Sequence, residues 1–198
     1  MKNFFVALTV ALILSASNIA AAETALFTEE QFDKIVAHTV ANPAASEAAT
    51  LNLDAATFQR NYNAFITNFI RETSAQGDDA AMMERIFLLN DAKTFENDSK
   101  QVFTKNFANR AVIIGFNEAG GNFKVLNFFA TIAEDRDDAL FNVLVLQGFL
   151  RGIDPTLNAG DLLNEAQKDP SKPVIRNGVK FSVATIENIN IITAVAAQ

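Results

Sequence analysis

Ala111-Val-Ile-Ile-Gly-Phe116 and Phe123-Lys-Val-Leu-Asn-Phe-Phe-Ala-Thr-Ile132 are the two stretches that decide the fold, and Asn117-Glu-Ala-Gly-Gly-Asn122 joins them. Gly and Asn adopt positive φ at low cost, so the joining segment predicts a turn. The β-branched and aromatic residues on either side of it predict an antiparallel hairpin. Both stretches carry apolar residues at odd and even positions, which indicates burial of both faces. We therefore expect this hairpin at the centre of a sheet.

The first residues have the three parts of an export signal. Lys2 provides the charged start, Phe4 to Leu14 form an apolar run, and Ala20 to Ala22 precede Glu23. The run is shorter than the roughly 20 residues that a membrane helix needs, so we expect cleavage after Ala22 rather than a stable anchor. An uncleaved anchor or a buried helix is the alternative. The prediction is a periplasmic or extracellular protein whose residues 23–198 form one domain.

Composition excludes several classes of function. The chain has no cysteine, so it forms no disulfide, thiolate metal site or cysteine nucleophile. Its net charge is −7, and removing Lys2 with the signal makes it −7 − 1 = −8. Without a basic run, nucleic acid and anionic lipid are poor partners. The partner that we expect is a protein or a peptide.

The aromatic residues are unevenly distributed among types, with 18 Phe, one Tyr and no Trp. Tyr and Trp are favoured at interfaces because they join an apolar face to a polar tip, which Phe lacks. We therefore expect the phenylalanines to fill the core. The alternative is that some of them line a cavity for an apolar ligand.

The sequence after the signal predicts a first helix. Thr28 and Gln31 fit a capping box, and Asn42-Pro43 ends the helical pattern. His38, the one histidine, lies off the apolar stripe and is expected at the solvated surface rather than in a catalytic site. The stripe consists of Phe32, Ile35, Val36, Thr39 and Val40.

A second N-terminal helix is predicted from Asp54, a favourable N-cap. Leu53 and Phe58 are placed to form a hydrophobic staple across that cap. The apolar stripe fades between Arg71 and Gly77. The connection from Pro43 to Thr50 is rich in Ala and Ser, so residues 23–53 are expected to be a partly mobile helix and linker. The stripe of the second helix consists of Phe58, Tyr62, Phe65, Ile66, Phe69 and Ile70.

Further strands are predicted on both sides of the central hairpin. Arg85–Asn90 is interpreted as a short strand, although so short a run fits a helix as well. Gln101–Phe107 completes an antiparallel meander with the hairpin. A short helix over Gly160–Lys168 then leads to Val174–Val183, which contains an Asn-Gly turn, and to a last strand over Ile189–Val195. These strands are expected to extend the sheet and to leave one strand edge exposed.

Ala139–Leu150 is apolar almost all round, which predicts a helix buried across one face of the sheet. Asp137 and Asp138 precede it as capping residues, Arg151 follows it, and Gly152 is the predicted C-terminal cap.

The acidic run Glu134–Asp138 is the one cluster that suggests metal binding or catalysis. A calcium loop needs alternating oxygen ligands, a glycine and a distal bidentate glutamate, which this run lacks. Glycoside hydrolysis needs two carboxyl groups on opposite sides of a bond, and adjacency in sequence does not provide that. We therefore predict no catalytic, metal-binding or cofactor-binding residue.

The predicted fold is α+β, with two N-terminal helices, a mostly antiparallel sheet of about five or six strands and one apolar helix packed on it. The expected function is a non-catalytic binding or adaptor module that uses a sheet edge or the crevice between sheet and helices. Two alternatives stay open. A hydrolase would use Asp and Glu carboxylates and hold one of them at a raised pKa. A carrier of an apolar ligand would have a Phe-lined cavity.

Overall fold

The computed structural model describes residues 49–73, 77–97, 100–118, 121–186 and 189–197. The predicted export signal, the predicted helix that begins at Thr28 and His38 lie outside the described residues. Within them the chain is α+β, as predicted. In chain order the elements are α1 (Ala55–Glu72), α2 (Asp78–Phe87), β1 (Lys93–Asn97), β2 (Lys100–Phe107), β3 (Ala111–Glu118), β4 (Phe123–Thr131), α3 (Arg136–Ile153), α4 (Ala159–Lys168), β5 (Val174–Arg176), β6 (Val179–Ile186) and β7 (Ile189–Ala196).

The described strands form a seven-stranded antiparallel sheet in the order β1-β2-β3-β4-β7-β6-β5. The predicted central hairpin is confirmed: β3 pairs with β4, and Val112 lies opposite Phe129. The C-terminal strands join the meander because β7 pairs with β4. The predicted hairpin around Asn177-Gly178 is confirmed as β5 and β6. The expectation of five or six strands was too low, since β1, which was not predicted, adds an edge.

All four described helices contribute to one hydrophobic core with residues from one face of the sheet, which we call the first face. The expectation of a single helix on the sheet was therefore too low. The closest approach is between α1 and α3, where two glycines of α3 receive aromatic rings of α1. A methyl group at Gly148 would lie 2.6 Å from Tyr62 Cε2, and one at Gly152 would lie 2.5 Å from Phe58 Cε2. No other residue fits at either position without displacing a ring.

The opposite face of the sheet, which we call the second face, carries a separate cluster of strand residues. Its buried members are Val102, Val112, Ile114, Phe116, Val125 and Phe129. This confirms that both faces of the β3–β4 hairpin are buried. Among the described residues, no helix contributes to this second cluster.

The prediction of a strand over Arg85–Asn90 was wrong, because α2 extends to Phe87. Met83 and Phe87 lie four residues apart and are both buried, so tertiary packing selects the helix. Leu88 follows in extended backbone and Leu89 in a bend, and both are buried as well. The apolar run that suggested a strand is thus the end of α2 together with the residues that directly follow it.

The ends of the apolar helix also differ from the prediction. α3 spans Arg136–Ile153, and its N-cap is Asp135, whose side chain accepts a hydrogen bond from the Asp138 N–H. Asp138 lies in the first turn, where it approaches the positive end of the helix dipole. Gly152 does not cap the helix. It lies inside it, against the Phe58 ring.

The second predicted helix is confirmed as α1, with Asp54 as its N-cap accepting from the Thr57 N–H at 2.7 Å. Leu53 and Phe58 are both buried, as a hydrophobic staple requires. None of the described helices combines the length and the apolar character needed to cross a bilayer.

Candidate functional site

An open crevice of about 470 Å³ lies between the helices α3 and α4 and the strands β4, β7 and β6. This volume is in the range of ligand-binding pockets. Its lining residues are Phe128, Ala130, Thr131, Ala133, Ala139, Asn142, Val143, Leu146, Leu163, Ala166, Gln167, Pro170, Val183, Ala184, Thr185, Asn190 and Ile192.

The walls of the crevice are apolar with a few amides and hydroxyls, and none of the described lining residues is ionisable. Asn142 donates from Nδ2 to the Thr131 carbonyl at 2.9 Å, which fixes the amide. Its other atom, Oδ1, is buried and has no hydrogen-bond partner. An unpaired buried acceptor is costly, so this amide oxygen destabilises the folded state.

The crevice lies where the edge strand β5 ends early. β5 has three residues and pairs only with Val179–Phe181 of β6. The register would place Pro173 opposite Ser182, and proline cannot donate to a sheet ladder. The chain leaves the sheet there, and Pro170 lines the crevice instead. Residues 182–186 of β6 therefore have no described strand on their outer side.

The backbone of this free edge has a definite polarity. Asn177 and Gly178 have φ of 50° and 77° and form the two-residue turn of the β5–β6 hairpin, so Val179 is hydrogen-bonded to β5. Backbone groups alternate sides along a strand with a period of two residues, and Val183 and Thr185 lie four and six residues after Val179. Their N–H and C=O groups consequently point outward, away from β7.

One apolar side chain of the crevice wall is exposed to solvent. Val143 lines the crevice and is 41% exposed. An exposed apolar side chain in an apolar hollow is compatible with an interaction site.

The acidic run that suggested metal or carboxylate chemistry serves the fold instead. Asp135 caps α3, and Asp138 pairs with Arg110 at 2.5 Å, with both side chains about nine-tenths buried. Arg110 also lies over the Phe141 ring, 5.5 Å from its centroid. Among the described residues, no three His, Asp or Glu side chains are grouped as metal ligands would be.

In the part of the chain that the structure describes, three carboxyl groups have a displaced pKa, and all three shifts are downward. The Thr57 N–H and hydroxyl lower the pKa of Asp54. Burial tends to raise the pKa of Asp154, but hydrogen bonds from Thr156 and Asn177 outweigh it and lower the pKa. The Lys172 ammonium and the Ser171 hydroxyl lower the pKa of Asp169. A carboxylic acid that donates a proton near neutral pH needs the opposite shift.

A second, more polar hollow of about 420 Å³ lies at the other edge of the sheet, beside β1. It contains the buried Lys105, whose ammonium pairs with Asp91 and lies 5.5 Å from the Phe107 ring centroid. Both contacts compensate for the cost of burying the charge of Lys105, so this lysine has a structural role.

Most of the described phenylalanines are buried, as predicted, and most of these rings lie on the helix side of the sheet. Phe116 and Phe129 lie in the cluster on the second face, and Phe95 is 51% exposed. Phe58, Phe103 and Phe123 contact one another edge to face with centroids 5.9 to 6.0 Å apart. Phe128 is the one phenylalanine that lines the crevice.

The sequence did not identify the crevice residues. Pro170 and Pro173 were the available signal, because two prolines beside a short strand indicate an interrupted sheet edge. The chain matches no protein-family model, no curated protein and no solved structure.

Proposed function

We propose that this chain is an exported, non-catalytic binding module that acts in the periplasm or outside the cell. It takes up an extended segment of a protein or peptide partner as an added strand beside β6. Apolar side chains of that segment enter the crevice. The observation that carries the proposal is the continuity of the apolar crevice with the edge of β6 at residues 182–186, beside which no described strand lies.

Strand addition uses the outward backbone groups of this edge and the apolar crevice beside it. The outward N–H and C=O groups of Val183 and Thr185 provide backbone hydrogen bonds, and an added strand would lie about 4.8 Å from β6. Its side chains alternate between the two faces, so every second one points toward the crevice. The ligand class is therefore a peptide with apolar residues at alternate positions and polar residues between them.

Phe128 is the one phenylalanine among the described lining residues, so a Phe-lined carrier cavity is less well supported than peptide binding. The described lining residues carry no charge, which gives the carboxylate hydrolase no support at this site.

The proposal is tested with a synthetic library of eight-residue peptides that carry Leu, Ile, Val or Phe at alternate positions and polar residues between them. Peptides retained by the immobilised protein are labelled with a fluorophore, and their affinity is measured by anisotropy. We expect Val183→Asp to weaken binding at least about tenfold, because it places a charge in an apolar wall. In amide NMR spectra of the wild-type protein, the Val183 and Thr185 signals should shift on peptide addition.

Ser182→Asp is the matched control. Ser182 precedes Val183 on the same strand, is exposed and points to the other face of the sheet, so the same charge there should leave the affinity unchanged. Equal losses in both variants would contradict the proposal. So would retained peptides that bind equally well after their residues are scrambled to remove the alternation.

A further inference from the structure

We propose that the segment added beside β6 is the free carboxyl-terminal end of the partner polypeptide, a refinement that rests on the proposed function. The position on the outer side of residues 182–186, which we call the outer lane, is closed at one end. β5 occupies the continuation of this lane, opposite Val179–Phe181. Its first residue, Val174, is buried and belongs to the core. A ligand strand in the outer lane therefore cannot continue past Val174 without leaving the sheet.

The direction of the ligand strand decides which of its ends lies at this closed end. β5 is antiparallel to β6, and its first residue, Val174, lies opposite Phe181. A ligand antiparallel to β6 runs in the same direction as β5, so it reaches Val174 with its carboxyl terminus. A parallel ligand would reach Val174 with its amino terminus. Every described strand pair of this sheet is antiparallel, and antiparallel pairing is slightly more stable per residue.

The backbone of β6 determines where the last ligand residue lies. Val183 is the first residue after Phe181 whose N–H and C=O groups point into the outer lane. An antiparallel ligand residue opposite Val183 donates its N–H to the Val183 carbonyl. One oxygen of its terminal carboxylate then accepts from the Val183 N–H. This hydrogen bond is charge-assisted and hence stronger than the bond that a carbonyl in mid-chain would accept.

The same register specifies which ligand side chains meet the crevice. Val183 and Thr185 both line it. Directly opposite residues of an antiparallel pair share one face of the sheet, so the last and third-last ligand side chains point toward the crevice. The ligand class is therefore a polypeptide that ends in an apolar residue and carries a second apolar residue two positions earlier.

The charges at the closed end favour a carboxylate over an amino group. Between the lining residue Gln167 and Val174, the charged residues are Lys168, Asp169 and Lys172, which together give one net positive charge. Lys172 is 77% exposed, and its Cα lies at most about 7 Å from that of Val174. Its ammonium pairs with Asp169 at 2.8 Å and has three N–H donors, so donors are left for a ligand carboxylate. Lys168, in the last turn of α4, offsets the negative end of that helix.

A matched set of four peptides tests the position of the chain end. The parent is an eight-residue peptide with a free carboxylate that the immobilised protein retains from the library. The others carry a carboxyl-terminal amide, three glycines after the carboxyl terminus, or three glycines before the amino terminus. Calorimetric titration measures each affinity without a label. We expect the carboxyl-terminal extension to weaken binding at least about tenfold, because the added residues meet β5. The amide should weaken binding about two- to fivefold, and the amino-terminal extension should leave the affinity unchanged.

Lys172→Gln tests the charge at the closed end. We expect it to reduce the preference for the carboxylate over the amide at least about twofold, since an exposed ion pair is worth up to about a factor of five. Lys93→Gln, at an exposed position in β1 on the opposite edge of the sheet, is the matched control and should leave this ratio unchanged. A general loss of stability would lower both affinities and would not change their ratio.

Three outcomes would overturn the preference for a carboxyl terminus. Equal affinities for the parent and its carboxyl-terminal extension would indicate an internal segment. Loss of binding on the amino-terminal extension alone would indicate a parallel ligand with a free amino terminus. In both cases Val183→Asp would still weaken binding, so strand addition beside β6 would stand. If Val183→Asp leaves the affinity of every peptide unchanged, strand addition is itself refuted, and the preference for a chain end falls with it.

Discussion

Gly148→Ala is expected to destabilise this protein by about 2 kcal/mol, although alanine is the better helix former. In a helix interior the exchange gains about 1 kcal/mol of intrinsic propensity. Here the added methyl group would lie 2.6 Å from Cε2 and 2.9 Å from Cζ of Tyr62, in a part of the core where that ring has no exposed surface. Overpacking of this kind costs about 1 to 3 kcal/mol, and a rigid buried ring favours the upper end.

A double-mutant cycle with Tyr62→Leu isolates this contact. Leucine at position 62 removes the ring, so Gly148→Ala should then show its propensity gain and stabilise by up to about 1 kcal/mol. The coupling between the two positions should be about 2 to 3 kcal/mol, which is within the range seen for residues in contact. Urea unfolding followed by circular dichroism gives the four free energies of unfolding. A coupling below about 0.5 kcal/mol would refute the ring-on-glycine packing.

Two further predictions concern buried polar groups. Tyr62→Phe should stabilise by about 1 kcal/mol, because the Tyr62 hydroxyl is buried without a partner. Burial raises the pKa of Tyr62, so below about pH 10 the group is neutral in both states, and above it only the unfolded state ionises. Stability should therefore fall by up to about 1.4 kcal/mol per pH unit in alkali, and less steeply in Tyr62→Phe. Tyrosinate absorbance should appear together with unfolding; its appearance in the folded protein would contradict the assignment. Asp138→Asn should destabilise by about 3 kcal/mol, since it leaves the buried Arg110 uncompensated, whereas the exposed Asp137→Asn should cost about 0.5 kcal/mol. Similar urea midpoints for these two variants would contradict the role of the ion pair.

Local signals were sufficient for much of the fold. The Gly-rich turn before Phe123, the Asn177-Gly178 turn and the Asp54 cap each depend on backbone preferences within a few residues. The two-sided apolar pattern of the β3–β4 hairpin correctly indicated a central position. In each case the residues that determine the backbone conformation lie close together both in the sequence and in the structure.

The errors came from contacts between distant parts of the chain. α2 is a helix because Met83 and Phe87 both reach the core, and the short apolar run at its end has no period of its own. Gly152 was interpreted as a cap, whereas it is required by the Phe58 ring, which comes from a helix more than 90 residues earlier. The position of the Phe58 ring cannot be predicted from the sequence around Gly152.

The crevice could not be predicted for the same reason. Its walls come from α3, α4 and three strands, and they meet because β7 pairs with β4 across about 60 residues of intervening chain. No segment of the sequence contains more than a part of it. The sequence predicted the general location, between sheet and helices, but not the residues.

The position of β7 between β4 and β6 has a consequence for how the chain is made. A chain that has been synthesised only as far as β6 has no seven-stranded sheet, because the strand that joins its two halves is still missing. Until residue 196 has emerged, the edge of β4 and much of the core stay open to other chains, a state that promotes aggregation. The sheet of such a chain is completed only when β7 pairs with both β4 and β6, at the end of its synthesis.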